Sequence, residues 1–275
     1  MKNNVLGVVL TLCLVKSMFL ANKATAEMLI SPTRAVINDR ERSAQVILLN
    51  TSDTIKTYRL GWAQKRALPD GGYVDLDEIT SSDFPVASDM LRFSPRQVML
   101  RPNERQIVKI GARRPRDLAD GEFRSHLLFT ALPSEDKQVE KNQTGVRLKL
   151  MLNYAIPIIL RQGSLDYDVV ISNAKILTVK KAKGTQYKIA VSFKRTGLHS
   201  TYGAMQAYWT PNDGGQEIKV ATLNGVHLYS ELETINRTMT WQPESFSPTS
   251  GKLRIAYEGG QEFYGEIFAE KVLFL

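Results

Sequence analysis

From 146 to 160 the even-numbered positions are apolar or aromatic without a break: Val146, Leu148, Leu150, Leu152, Tyr154, Ile156, Ile158 and Leu160. A period of two gathers these side chains on one face only if the backbone is a β-strand. The odd positions begin as Arg147, Lys149, Met151 and Asn153, so the opposite face starts wet. At roughly 3.3 Å per residue the stretch 144–161, TGVRLKLMLNYAIPIILR, extends about 50 Å, against about 20 Å for an ordinary strand. One small sandwich cannot hold all of it. Either the strand bends into a second element, or part of its apolar face is turned toward something outside its own domain. Pro157 has no N–H to donate to a ladder and fits a bend or an edge.

The rest of the chain is built of shorter runs of the same kind. SAQVILLN (43–50), TYRLGWAQKR (57–66), QVML (97–100), RQIVKIGAR (105–113) and FRSHLLFTAL (123–132) are rich in branched or aromatic residues. Turn-formers separate them, including Asn50-Thr51-Ser52-Asp53, Pro69-Asp70-Gly71-Gly72 and Ala119-Asp120-Gly121. No window of a dozen residues carries a helical stripe, so the pattern predicts an antiparallel sandwich of immunoglobulin-like kind. The charged segment 134–143, SEDKQVEKNQ, predicts a mobile loop leading into the long strand. Arg161-Gln162-Gly163-Ser164 reads as a hinge, after which YDVVISNAKILTV, QYKIAVSFKR, GAMQAYWT, GKLRIAYEG and EFYGEIFAEKVLFL repeat the rhythm as a second all-β domain.

The start, MKNNVLGVVLTLCLVKSMFLANKATA, has a basic end, an apolar run over 5–15 and an Ala-x-Ala at Ala24 and Ala26, the order of a secretory signal. Cleavage there leaves 249 of 275 residues, enough for two domains. It also removes Cys13, the only cysteine, so the exported chain depends on its cores, not on disulfides, and has no thiol for a metal or a nucleophile. Losing Lys2, Lys16 and Lys23 reduces the net charge from +8 to +5. The remaining basic residues are scattered, with no basic helix or aromatic stripe, which argues against nucleic acid. No later segment is apolar over the roughly 20 residues that membrane insertion by a helix requires.

Motifs for chemistry are absent. His126, His199 and His227 are far apart and stand at no metal-ligand spacing. There is no phosphate-cradling glycine loop and no Gly-x-Ser-x-Gly elbow. Asp75 with Asp77, and Glu231 with Glu233, place carboxylates two apart on a strand, a spacing compatible with glycoside hydrolysis and equally with a solvated face. Trp62, Trp209 and Trp241 fall where a sandwich core takes a large side chain. Arg34, in the first strand, and Arg124, early in 123–132, offer planar forks suited to a carboxylate, although a solvated arginine is the commoner reading.

ISPTRAVI (30–37), RSAQVILLNTS (42–52), RFSPRQVML (92–100) with Pro102, GEFRSHLLF (121–129) and YAIPIILRQG (154–163) together resemble the periplasmic chaperones of the chaperone-usher pilus pathway, the PapD-like family. The IP before the linker and the RSHL of the preceding strand are similar to its divergent or archaic-type branch. The second half resembles the family only in its rhythm and its AEKVLFL ending. The resemblance implies two immunoglobulin-like β-sandwich domains in an L- or boomerang-shaped arrangement. It assigns 1–26 to the signal, 27–160 to the N-terminal domain with the donor strand, 161–164 to the hinge and 165–275 to the C-terminal domain. It further implies a periplasmic location, pilus subunits and an outer-membrane usher as partners, and no catalysis, cofactor or metal. The lent side chains are Val146, Leu148, Leu150 and Leu152, and the subunit's C-terminal carboxylate is anchored by Arg34. Pro157 stands where many members carry a second anchoring lysine, and Arg124 is the substitute. Without a subunit, the strand is expected to be hidden by self-association or disorder. Two other classes fit less of the chain: a structural pilus subunit or surface adhesin, and a secreted carbohydrate-active β-protein.

Overall fold

The computed structural model describes residues 27–76, 84–133, 151–182, 184–212, 215–242, 248 and 250–275. Among them the strands are, in order, β1 (Met28–Ser31), β2 (Ala35–Ile37), β3 (Ser43–Asn50), β4 (Lys56–Ala63), β5 (Lys65–Ala67), β6 (Tyr73–Asp75), β7 (Leu91–Ser94), β8 (Gln97–Leu100), β9 (Arg105–Ala112), β10 (Gly121–Leu132) and β11 (Tyr154–Gln162). The second half adds β12 (Asp168–Lys181), β13 (Gly184–Thr196), β14 (Thr201–Pro211), β15 (Ile218–Leu228), β16 (Thr234–Thr240), β17 (Gly251–Gly259) and β18 (Ile267–Phe274). The only helical turns among the described residues are 3-10 turns at Ser88–Met90 and Gln261–Phe263.

Two sandwiches result. The first packs the sheet β1-β3-β9-β7 on β2-β11-β10-β4-β8, and the second packs β12-β13-β16 on β15-β14-β17-β18. Alternation decides which residues face inward. Val46 and Leu48 of β3, Leu127 and Phe129 of β10, and Ile156, Ile158 and Leu160 of β11 meet in the first core. Met205, Ala207 and Trp209 of β14 and Leu253, Ile255 and Tyr257 of β17 do the same in the second. Trp209 and Trp241 are therefore core residues, and Trp62, partly buried, sits edge-on to Phe93 at 5.2 Å.

The long strand is continuous through Pro157. Its pairing with β10 runs without a register shift from Phe129↔Tyr154 to Gly121↔Gln162, with His126 opposite Pro157. Pro157 therefore does not break or bulge the strand. Its place is the edge, because β2 covers the other side of β11 only at Ile158, Ile159 and Leu160. Arg161 and Gln162, read as part of a hinge, are the last two residues of β11, and the link to β12 runs through 163–167. Gly163 takes φ +81 there, and a Cβ would lie 2.4 Å from the Asp120 side chain.

A small hairpin, β5-β6, stands apart from both sandwiches and bridges them. Its turn is tied to β16: Asn236 N–H and Arg237 Nη1 each donate to Pro69 O at 2.8 Å, and Asn236 Nδ2 donates to Asp70 Oδ1 at 2.9 Å.

Candidate functional site

The odd positions of β10 that face the first core, Leu127 and Phe129, leave Glu122, Arg124 and His126 on the opposite face. On β11 the corresponding positions are Ile159 and Arg161, with register pairs Glu122↔Arg161 and Arg124↔Ile159. All five are buried, although they turn away from their own core. The second sandwich and the β5-β6 hairpin cover this face, where Ile159 meets Ala67 and Tyr229 in a small apolar cluster of its own. Charge buried in such a joint needs partners, and each arginine has one.

Arg161 is enclosed most completely. Its Nε donates to Glu122 Oε2 at 3.1 Å, Nη1 to Glu262 Oε1 at 3.1 Å and Nη2 to Ser200 O at 3.0 Å. Glu122 Oε2 also accepts from Ser200 N–H at 3.1 Å and from the Ser200 hydroxyl at 2.7 Å, so this knot joins both sandwiches. Arg124 forms a fork with Glu231: Nη1 donates to Oε2 at 3.1 Å and Nη2 to Oε1. Its guanidinium lies 3.7 Å from the Tyr229 ring centre, Nη2 also donates to Lys65 O at 3.2 Å, and Ala67 N–H donates to Glu231 Oε1 at 3.1 Å.

Arg34 follows β1 and precedes β2, and its side chain reaches the turn between β17 and β18. Nη1 donates to Glu262 Oε2 at 2.9 Å, Nη2 to Glu262 Oε1 at 2.8 Å, and Nη1 also to Gln261 Oε1 at 3.2 Å. The Tyr202 ring lies 5.0 Å from its guanidinium carbon. The Arg34 side chain is 1% exposed and that of Glu262 22%, so the carboxylate is the solvent side of the pair. Burial pushes the Glu262 carboxyl up, but the hydrogen bonds and charge of Arg34, with Arg161 behind, outweigh it and hold the group below the usual glutamate range.

Among the described residues no three His, Cys, Asp or Glu side chains converge to hold an ion, and each histidine has neighbours of another kind. His199 accepts Asp166 N–H at Nδ1 and faces Gln162 O through Nε2. His126 lies edge-on to Tyr73 at 4.9 Å, and His227 stacks on Tyr229 at 5.0 Å. Glu231, one of the paired acids of the hydrolase reading, is committed to Arg124.

Of the residues singled out in the sequence, Arg34 and Arg124 are thus drawn to the joint between the sandwiches, each already facing a glutamate. Val146, Leu148 and Leu150 lie outside the described residues. Leu152 is described, precedes β11 and is 44% exposed. The sequence reading missed Arg161 and Glu262 as site residues, and it named Glu231 only as one of two acids on a strand, not as the partner of Arg124. A signal for Arg161 existed: the odd face of the long strand changes from Arg147 and Lys149 to Ala155, Pro157 and Ile159, and a strand apolar on both faces is covered on both.

No family model and no curated protein matches the chain. Solved structures are similar in trace at low identity. The CupB2 chaperone of Pseudomonas aeruginosa is 13% identical over 90% of this chain and 100% of that one, with a TM-score of 0.45. A chain of the Salmonella enterica SafA pilin–SafB chaperone complex is 15% identical over 91% and 97%, at 0.45, and the YadV chaperone is 11% identical over 91% and 100%, at 0.44. A likeness this distant assigns no function by itself.

Proposed function

We propose that the chain is a periplasmic chaperone for pilus subunits. It lends the segment 146–152 to a subunit that lacks a strand, caps it, and hands it to an outer-membrane usher, with residues 1–26 serving as the export signal. The observation that carries this reading is one of parity. Ile156, Ile158 and Leu160 fill the first core from the even face of β11, and the same face continues into Leu152, which is exposed, and in sequence into Leu150, Leu148 and Val146. The apolar face outruns the core available to it.

A strand with a spare apolar face adds to an open sheet by main-chain hydrogen bonds, with alternate side chains entering pockets. Four aliphatic side chains at about 1.5–3 kcal/mol each supply roughly 6–12 kcal/mol before ordering costs. Arg34 is the anchor for the subunit's C-terminal carboxylate, since of the two arginines singled out in the sequence it has the more exposed carboxylate partner, Glu262 at 22% against Glu231 at 13%. Arg124, stacked on Tyr229 and closed over by the hairpin, is assigned to the joint.

Co-expression with a pilus subunit tests the reading. The expected result is a one-to-one complex that Leu150→Asp abolishes while leaving the thermal midpoint of the free chain unchanged. Failure to form a complex, together with subunit yield indifferent to Leu150→Asp, would overturn it.

A further inference from the structure

We propose that Glu262 is an internal stand-in for the partner's carboxylate, holding Arg34 in the unliganded chain and giving way to the subunit's terminal carboxylate on docking. The inference rests on the reading of Arg34 as the anchor. The geometry is that of a carboxylate ligand: both oxygens of Glu262 face the two Nη atoms of Arg34, at 2.8 and 2.9 Å. Glu262 does not saturate the arginine, because Arg34 Nε is buried and without a hydrogen-bond partner among the described residues.

Exchange requires little movement. Phe263, 4% exposed, pins the turn by packing edge-on to Tyr167 and Phe268, and the chain approaches itself so closely that a Cβ at Gly259 would lie 2.1 Å from Phe263 O. With the turn held by Phe263, the carboxylate leaves by rotating its own side chain toward the solvent it already touches. Nor does departure strand a charge. Arg161 keeps Glu122 and Ser200 O, Arg34 receives the incoming carboxylate, and Glu262 gains water. The Arg124–Glu231 pair differs on these points: Glu231 is also bound by Ala67 N–H, and the hairpin lies over it.

A resident competitor lowers the apparent affinity for a carboxylate by the fraction of time Arg34 is free. It would reject stray carboxylates and yield only to a partner that also pairs with the long strand.

The test uses the full chain and a synthetic peptide of a pilus subunit's C-terminal strand, made with a free carboxylate and with a carboxamide. Calorimetric titration should show Glu262→Gln binding the free acid about tenfold or more tightly than the unsubstituted chain, as for removal of a competitor present 90% of the time or more. The carboxamide should bind both alike, and Arg34→Ala should erase the difference between the two peptides. Unchanged or weaker binding of the free acid by Glu262→Gln overturns the proposal, as does an equal change for both peptides, which would report a loosened joint. If subunit capture persists on co-expression in either case, only the stand-in falls. If neither peptide binds and no complex forms, the chaperone reading falls with it.

Discussion

Two histidines beside the joint, buried His126 and partly buried His227, give the molecule an acid sensitivity that can be assigned to single side chains. His126 is held down to about 3 by burial, with Arg124 and Lys65 adding to it and Asp75 opposing. His227 is held at about 3 by burial and then by Arg34, Arg124 and Arg237, against Glu262. In the unfolded chain each takes a proton near pH 6.5, whereas the folded protein refuses it until about 3. Unfolding therefore binds protons in this window. The stability these groups contribute is complete above pH 6.5 and is lost as pH falls toward 3, at about 1.4 kcal/mol per pH unit for each histidine. Both ring nitrogens of His126 lack hydrogen-bond partners among the described residues, so His126→Leu removes the titration without orphaning a bond. Urea unfolding at pH 7 and at pH 5 should show that this variant loses less stability on acidification, by about one proton's worth. An unchanged slope would mean that His126 is not neutral in the fold.

At the scale of the strand, backbone polarity fixes where a partner can pair. Arg161 O accepts from Arg114 Nη2 at 3.3 Å and Arg124 N–H donates to Pro85 O at 2.9 Å, so the pairs Glu122↔Arg161 and Arg124↔Ile159 turn their backbone groups away from the β10–β11 ladder. Ala155 and Pro157 share that parity and face the edge that β2 leaves uncovered. Pro157 offers no donor there, so an added strand finds its last donor at Ala155. Amide exchange at Ala155 should slow when a subunit is captured, while Ile156, bonded within the sheet, should change little. Equal exchange at Ala155 in the free and captured states would count against pairing along this edge. The even face of β11 and the sandwich cores were legible in the sequence, because period two is a local fact. The missing N–H of Pro157 left a bend or an edge open until the pairing with β10 and β2 decided for the edge. The partners of Arg34 and Arg124 were not legible. Glu262 and Glu231 lie 228 and 107 residues away along the chain, and nothing in either neighbourhood ties them to these arginines. The arginine fork was recognisable as a carboxylate site, but the carboxylate facing it in the free chain is the protein's own.

At the scale of the whole molecule, the joint is held among the described residues at three places: the Glu122–Arg161–Glu262–Arg34 chain, the Arg124–Glu231 fork with Tyr73 and Tyr229 hydroxyls 2.8 Å apart, and the hairpin turn on β16. Such a joint contributes coupling more than strength, since a buried ion pair gains little over an apolar replacement yet is costly to break. Glu231→Ala leaves Arg124 buried at 3% exposure without its carboxylate. The expected cost is about 3–5 kcal/mol, the range for removing one partner of a buried pair. Because Arg124 is on β10 of the first sandwich and Glu231 lies between β15 and β16 of the second, and neither belongs to a core, the loss falls on their contact. The unsubstituted chain should therefore melt in one calorimetric transition, and Glu231→Ala should resolve it into two, with the sandwiches unfolding separately. A lowered midpoint with a single transition would place the coupling elsewhere, in the Arg161 knot, where Arg161→Ala should then produce the split.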